Sequence, residues 1–257
     1  MPSIVDLAEL SNHVYDNGSS AVTVSPPLNL APVSSPAFSS LPKPSLLQQT
    51  NTCLLNPPTT GPASRIWTKT RYAYNPVGFY AGLYECGDQR IIAFRGTDDL
   101  LDALVDDAAV AAGAMPPQVI AAFMTVSAWG FSGKTYITGH SLGGALAILS
   151  ACHYNVPAAT FNAPGVADVC VQIAVTSNPL QRLLAAVSRC ISNSRVRNIR
   201  IEGDPVSSVF TTGAQAGGNT QSYSGASCGF NSLCRHGMAS CLAAVKASTA
   251  NYQDLTL

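Results

Sequence analysis

Tyr136-Ile137-Thr138-Gly139-His140-Ser141-Leu142-Gly143-Gly144-Ala145-Leu146-Ala147 sets a short apolar run ahead of Gly-x-Ser-x-Gly and an alanine-rich run behind it. Lys134 to Thr138 is β-prone, and Leu142, Ala145, Leu146, Leu149 and Cys152 recur at helical spacing. The stretch therefore reads as a strand turning abruptly into a helix with a serine at the apex. Such a turn strains the serine backbone and brings chain so close that a Cβ at Gly139 or Gly143 would clash. The Leu142 amide then lies at a helix start, where an unpaired N–H and the positive end of the dipole can meet a developing oxyanion.

The rest of the chain suits that strand-turn-helix. Its 257 residues, 47% of them apolar, suffice for one α/β domain spanning 1–257 with a sizeable core. Only 11% are charged and the net charge is zero, which gives no electrostatic grip on nucleic acid or an anionic membrane. A positive mean hydropathy with so few charges points to an apolar surface of the kind that meets lipid or protein. No membrane span is readable, because the most apolar region, 108–124, is cut by Pro116-Pro117. The first fifteen residues have no basic n-region and carry Asp6 and Glu9, so they read as a structural helix capped by Ser3 and not as a signal peptide. The expected location is then the cytoplasm or outside by an unconventional export route.

Nine of the seventeen prolines fall between Pro26 and Pro62, among Leu28, Leu30, Phe38, Leu41, Leu46, Leu47, Leu54 and Leu55. That composition excludes regular structure and is too apolar for a linker, so an irregular flap is expected at about 17–64. A hairpin follows over 79–94, turning at Gly87-Asp88. It leads into Arg95-Gly96-Thr97, where glycine admits close approach and Thr97 offers both its N–H and its hydroxyl to an oxyanion. Helical patterns over 100–107, 118–129 and 180–191 and strands over 158–162 and 196–202 complete an alternation that predicts an α/β fold, its mostly parallel central sheet flanked by helices on both faces.

In this architecture the acid and then the histidine follow the serine in chain order. Of the four histidines, His13 precedes Ser141, His140 lies inside the elbow, and His153 follows with no acid between; His236 is left. The acids between Ser141 and His236 are Asp168, Glu202 and Asp204. Asp204 is favoured, since the loop Gly203-Asp204-Pro205 can aim a carboxylate at an imidazole.

The eight cysteines permit disulfides or buried thiols alike. Cys228, Cys234 and Cys241 cluster where one staple could fix a loop. With His236 they could hold zinc, but their spacing fits no standard site, and neither a metal nor a cofactor is expected.

These motifs resemble the fungal-type, or class 3, lipase family of the α/β-hydrolase superfamily. The resemblance rests on Ile91-Ile92-Ala93-Phe94-Arg95-Gly96-Thr97, the Gly139-His140-Ser141-Leu142-Gly143 elbow, Phe161-Asn162-Ala163-Pro164, Gly203-Asp204-Pro205-Val206 and His236-Gly237-Met238. It implies Ser141 as nucleophile, Asp204 as acid, His236 as base, Thr97 and Leu142 as oxyanion donors, and a mobile lid after Thr97. The implied activity is that of a serine carboxylic-ester hydrolase, a lipase or phospholipase, in transient contact with a lipid interface. Alternatives are an esterase on soluble or aromatic (feruloyl-type) esters and a non-catalytic binding module. Access to Ser141 is expected to be gated by apolar chain, either 98–108 or the proline-rich flap.

Overall fold

The computed structural model describes residues 1–15, 67–75, 78–96, 117–131, 134–166, 195–209 and 219–247. The expected flap at 17–64, the helices expected over 100–107 and 180–191, Thr97 and Asp168 lie outside them.

Seven strands form one sheet in chain order: β1 (Thr68–Tyr74), β2 (Tyr80–Cys86), β3 (Gln89–Phe94), β4 (Lys134–His140), β5 (Ala158–Phe161), β6 (Val196–Ile201) and β7 (Asn219–Tyr223). β1, β2 and β3 pair antiparallel, and every pairing from β3 to β7 is parallel. The expected hairpin is β2–β3, with Cys86 opposite Gln89 and Gly87 at φ +61°, the positive φ that a two-residue turn requires. β1 and β7 were not anticipated.

Period-two alternation sorts the strand residues into two cores. Ile92, Phe94 and Ile137 point to one face, and Ile91, Ala93 and Tyr136 to the other. Two crossover helices, α2 (Pro117–Trp129) and α3 (Leu142–Tyr154), cover the first face through Val119, Ala122, Val126, Leu146 and Leu149. α2 opens on Pro117, whose missing N–H costs nothing at a first helical position. Parallel strands laid down in one direction with right-handed crossovers return along one side, so the opposite face must be covered by other chain. The two ends of the described chain cover it: α1 (Ile4–His13) and α6 (Met238–Lys246) supply Leu7, Leu10, Met238, Cys241 and Val245. Between β6 and α6 lie the short helices α4 (Pro205–Val209) and α5 (Ser232–His236).

α1 starts as its sequence indicates. The Asp6 N–H donates to Ser3 Oγ at 3.1 Å and the Ser3 N–H to Asp6 Oδ2 at 2.7 Å, a complete capping box. An ion pair between Glu9 of α1 and Lys246 of α6 ties the two helices together. Burial raises the Glu9 carboxyl above its ordinary value, and Lys246 opposes that shift. The helix is anchored to the sheet through Thr138 of β4, whose Oγ1 lies 2.8 Å from Ala159 O, 3.2 Å from Leu7 O and 2.8 Å from Ser11 Oγ, all buried. Thr138→Val keeps the shape and orphans these partners. It should cost about 1–3 kcal/mol in urea denaturation, and a loss below about half a kcal/mol would show that the hydroxyl does not dock α1.

Candidate active site

Ser141 stands at the junction of β4 and α3 with φ 56° and ψ −130°, a region that side-chain-bearing residues rarely adopt. The glycines around it are dictated by contact distances. A Cβ at Gly139 would fall 2.2 Å from Gly143 O, and one at Gly143 would fall 2.3 Å from Phe94 O. Leu142 is the first residue of α3, so its N–H has no carbonyl one turn back within the helix. Gly96 closes against the same elbow: a Cβ there would stand 2.6 Å from His140 O and 3.1 Å from Ser141 Cβ. This brings the Arg95-Gly96 strand end beside the serine, and Thr97 follows beyond the described residues.

His236 ends α5. The helix is capped by Asn231, whose side chain accepts the Cys234 N–H at 3.0 Å, and the segment ahead of it is closed by a Cys228–Cys234 disulfide. Cys86 is disulfide-bonded as well, whereas Cys152 and Cys241 are buried thiols. The disulfide takes two of the four residues considered as zinc ligands. Cys241 lies on α6 with its thiol pushed far up, mainly by burial and then by the Asp204 carboxylate, so it stays protonated and inert.

Asp204 is fully buried in the turn after β6, where Gly203 adopts φ +77°. Its carboxylate accepts the Ser207 N–H at 2.8 Å and the Val206 N–H at 3.4 Å. The His236 Nδ1 lies 2.8 Å from Asp204 Oδ1, and His236 Nε2 lies 2.9 Å from Ser141 Oγ. A carboxylate can only accept, so Nδ1 carries the proton and Nε2 turns its lone pair to the serine. Of the two other acids, Glu202 is exposed and Asp168 lies outside the described residues.

Three residues around this set were not singled out by the sequence. Asn162, at φ 46° just past β5, donates through Nδ2 to the carbonyls of Arg235 at 2.8 Å and His236 at 2.9 Å, and accepts the Ile201 N–H at 2.8 Å. Its sequence signals are a polar residue closing an apolar strand and its place in the Phe161-Asn162-Ala163-Pro164 motif, neither of which gives it a role. His140 is buried and bonds through Nε2 to His236 O at 2.7 Å. Tyr15, just after α1, places its hydroxyl 2.9 Å from His140 Nδ1 and 3.1 Å from the Gly96 nitrogen.

A mostly parallel sheet whose fourth strand breaks at a serine into a buried helix is the α/β-hydrolase arrangement. The chain belongs to the phospholipase-like family of the Tle-like phospholipase domain, whose family model matches residues 6–250. Over 93 residues it is 41% identical to an extracellular phospholipase A1 of Serratia liquefaciens, a stretch covering 35% of this chain and 29% of that protein. Over 51 residues it is 55% identical to the putative lipase ATG15 of Eremothecium gossypii, covering 20% of this chain and 8% of that protein. The match thus spans under a third of either relative's length. Among solved structures it is similar to a lipase from Rhizopus microsporus var. chinensis, with TM-score 0.35, 16% identity and 56% of each chain covered. It is also similar to a triacylglycerol lipase from Penicillium expansum, with TM-score 0.33, 11% identity, 62% of this chain and 69% of that one.

Burial, followed by the neighbouring His236, lowers the His140 imidazole from an ordinary 6.5 to about 4. An unfolded chain therefore takes this proton first, so stability held above pH 6.5 is lost as pH falls towards 4. The full loss is about 3 kcal/mol. Urea midpoints measured from pH 7 down to 4.5 should fall more steeply for the wild type than for His140→Gln. Parallel curves would remove His140 from the acid sensitivity.

Proposed function

We propose that this chain hydrolyses carboxylic esters of lipids through an acyl-enzyme on Ser141, with His236 as general base, Asp204 as its orienting acid, and Leu142 and Thr97 as oxyanion donors. The observation that carries the reading is the unbroken run from Asp204 Oδ1 through the His236 ring to Ser141 Oγ, at 2.8 and 2.9 Å, on a serine held at positive φ.

In this mechanism His236 Nε2 takes the Ser141 hydroxyl proton as Oγ bonds to the ester carbonyl carbon. The carbonyl oxygen, now an oxyanion, is met by the Leu142 N–H and by the N–H and hydroxyl of Thr97. The imidazolium passes its proton to the departing alcohol oxygen as the C–O bond breaks. Water then attacks the acyl carbon with its proton going to Nε2, and the acid leaves as Ser141 regains its hydrogen. Support for Thr97 comes from the position of Gly96 against Ser141 Cβ.

Lipid as the ester class is supported by the family, described as phospholipase-like, and by relatives named phospholipase A1 and lipase. Transient contact with a lipid surface is supported by Phe230, fully exposed, and by Leu233, also exposed, within the disulfide-closed segment that follows the C-terminal end of β7. β7 runs parallel to β4, so that segment and the elbow share one edge of the sheet. Among the described residues no helix is long and apolar enough to cross a membrane.

Ser141→Ala should fold as the wild type, lose labelling by a fluorophosphonate, and lose ester hydrolysis by several orders of magnitude. Turnover above about a tenth of wild type would reject the nucleophile. Asp204→Asn should cut kcat by roughly 10³- to 10⁴-fold through loss of the correct His236 tautomer.

For the lipid surface, the rate should jump as substrate passes from dissolved monomer to emulsion or vesicle. Phe230→Ser with Leu233→Ser should flatten that jump while sparing short soluble esters. A wild-type rate rising smoothly through the solubility limit would favour a soluble-ester substrate.

A further inference from the structure

We propose that Tyr15 and His140 are positioning residues for the hydrolysis: a directed hydrogen-bond relay that joins the oxyanion strand end at Gly96 to the main chain of His236 and sets both against Ser141. The inference rests on the reading of Ser141 and His236 given above.

The direction of the relay follows from the partners. The His236 carbonyl can only accept, so His140 Nε2, 2.7 Å away, must carry a hydrogen. His140 is neutral at ordinary pH, because burial holds its imidazole down to about 4. Its Nδ1 is then a bare acceptor, and the Tyr15 hydroxyl 2.9 Å away must donate to it. With that proton used, the Tyr15 oxygen receives the Gly96 N–H at 3.1 Å. The sequence of donors is thus Gly96 N–H to Tyr15, Tyr15 O–H to His140, and His140 Nε2–H to His236 O.

Position gives the relay its leverage. Gly96 immediately precedes Thr97, and its N–H is held by the Tyr15 hydroxyl at 3.1 Å, with no room between them for a side chain at position 96. At the other end the His236 carbonyl also accepts from Asn162 at 2.9 Å. The main chain bearing the base is therefore held from two sides while its ring is held by Asp204. Neither Tyr15 nor His140 reaches the reacting atoms, so their effect is on alignment, to which catalysis is steep.

The test uses the full chain and a short, soluble p-nitrophenyl ester, which takes lipid-surface binding out of the measurement. Tyr15→Phe should lower kcat roughly 10- to 100-fold at unchanged KM. It should also shift or broaden the downfield proton NMR line of the His236 Nδ1–H bond to Asp204, which a merely structural tyrosine would leave in place. His140→Leu should lose activity more severely. His140→Gln, whose amide can still donate to the His236 carbonyl, should recover much of that loss, and this pair decides the matter if Tyr15→Phe does not fold.

A Tyr15→Phe kcat within twofold of wild type, or a kcat loss that tracks lost folded protein with the NMR line unmoved, would overturn the relay. So would equal activities for His140→Gln and His140→Leu. None of these results would touch the dependence on Ser141, which Ser141→Ala measures separately.

Discussion

Parallel strands laid side by side in chain order, joined by right-handed crossovers, send their connections along one face of the sheet. Everything else about this protein depends on how the opposite face is closed. Here α1 and α6 close it, one near each end of the described chain, joined by the Glu9–Lys246 ion pair and packed on Tyr136, Ile91 and Ala159. Tyr15 stands two residues after α1, and His236 two residues before α6. Covering the sheet therefore delivers a tyrosine and an imidazole to the C-terminal end of β4, where the elbow stands. The geometry that solves a burial problem also gathers the polar groups around Ser141.

Those groups are arranged so that few buried atoms compete. Asp204 satisfies its carboxylate with two backbone N–H groups and one imidazole, Asn162 spends both amide hydrogens on carbonyls next to or at His236, and His140 stays neutral. A buried network of this kind is rigid because each loss would leave a partner uncompensated. The His236 ring thus meets Ser141 at 2.9 Å, its hydrogen bonds among the described residues running only to Asp204 and Ser141.

What the sequence made legible was local. The hairpin, the capping box at Ser3 and the Gly139–Gly143 elbow each depend on residues a few positions apart, and the mostly parallel character of the sheet follows from the alternation of β and α patterns. β1 and β7 escaped notice because they are the edges: β7, Asn-Thr-Gln-Ser-Tyr, buries no apolar face, and β1 carries Lys69 and Arg71 among its tyrosines. Edge strands need not alternate cleanly, since one side meets solvent. Asp204 and His236 could be ranked by chain order, but Tyr15, His140 and Asn162 meet partners 39 to 125 residues away. No spacing rule reports such meetings. Chain order excludes His140 as a base, but at the buried end of β4 its ring joins Tyr15 to the His236 carbonyl.

The backbone at position 141 bears on how such a chain drifts. At φ 56° a serine occupies torsions that glycine adopts freely, a strain of order 1–3 kcal/mol. Among single replacements, glycine would relax that strain and alanine would retain it. Selection for stability alone, in a lineage released from any chemical task, would therefore drain this position towards glycine while leaving Gly139 and Gly143 in place for want of room.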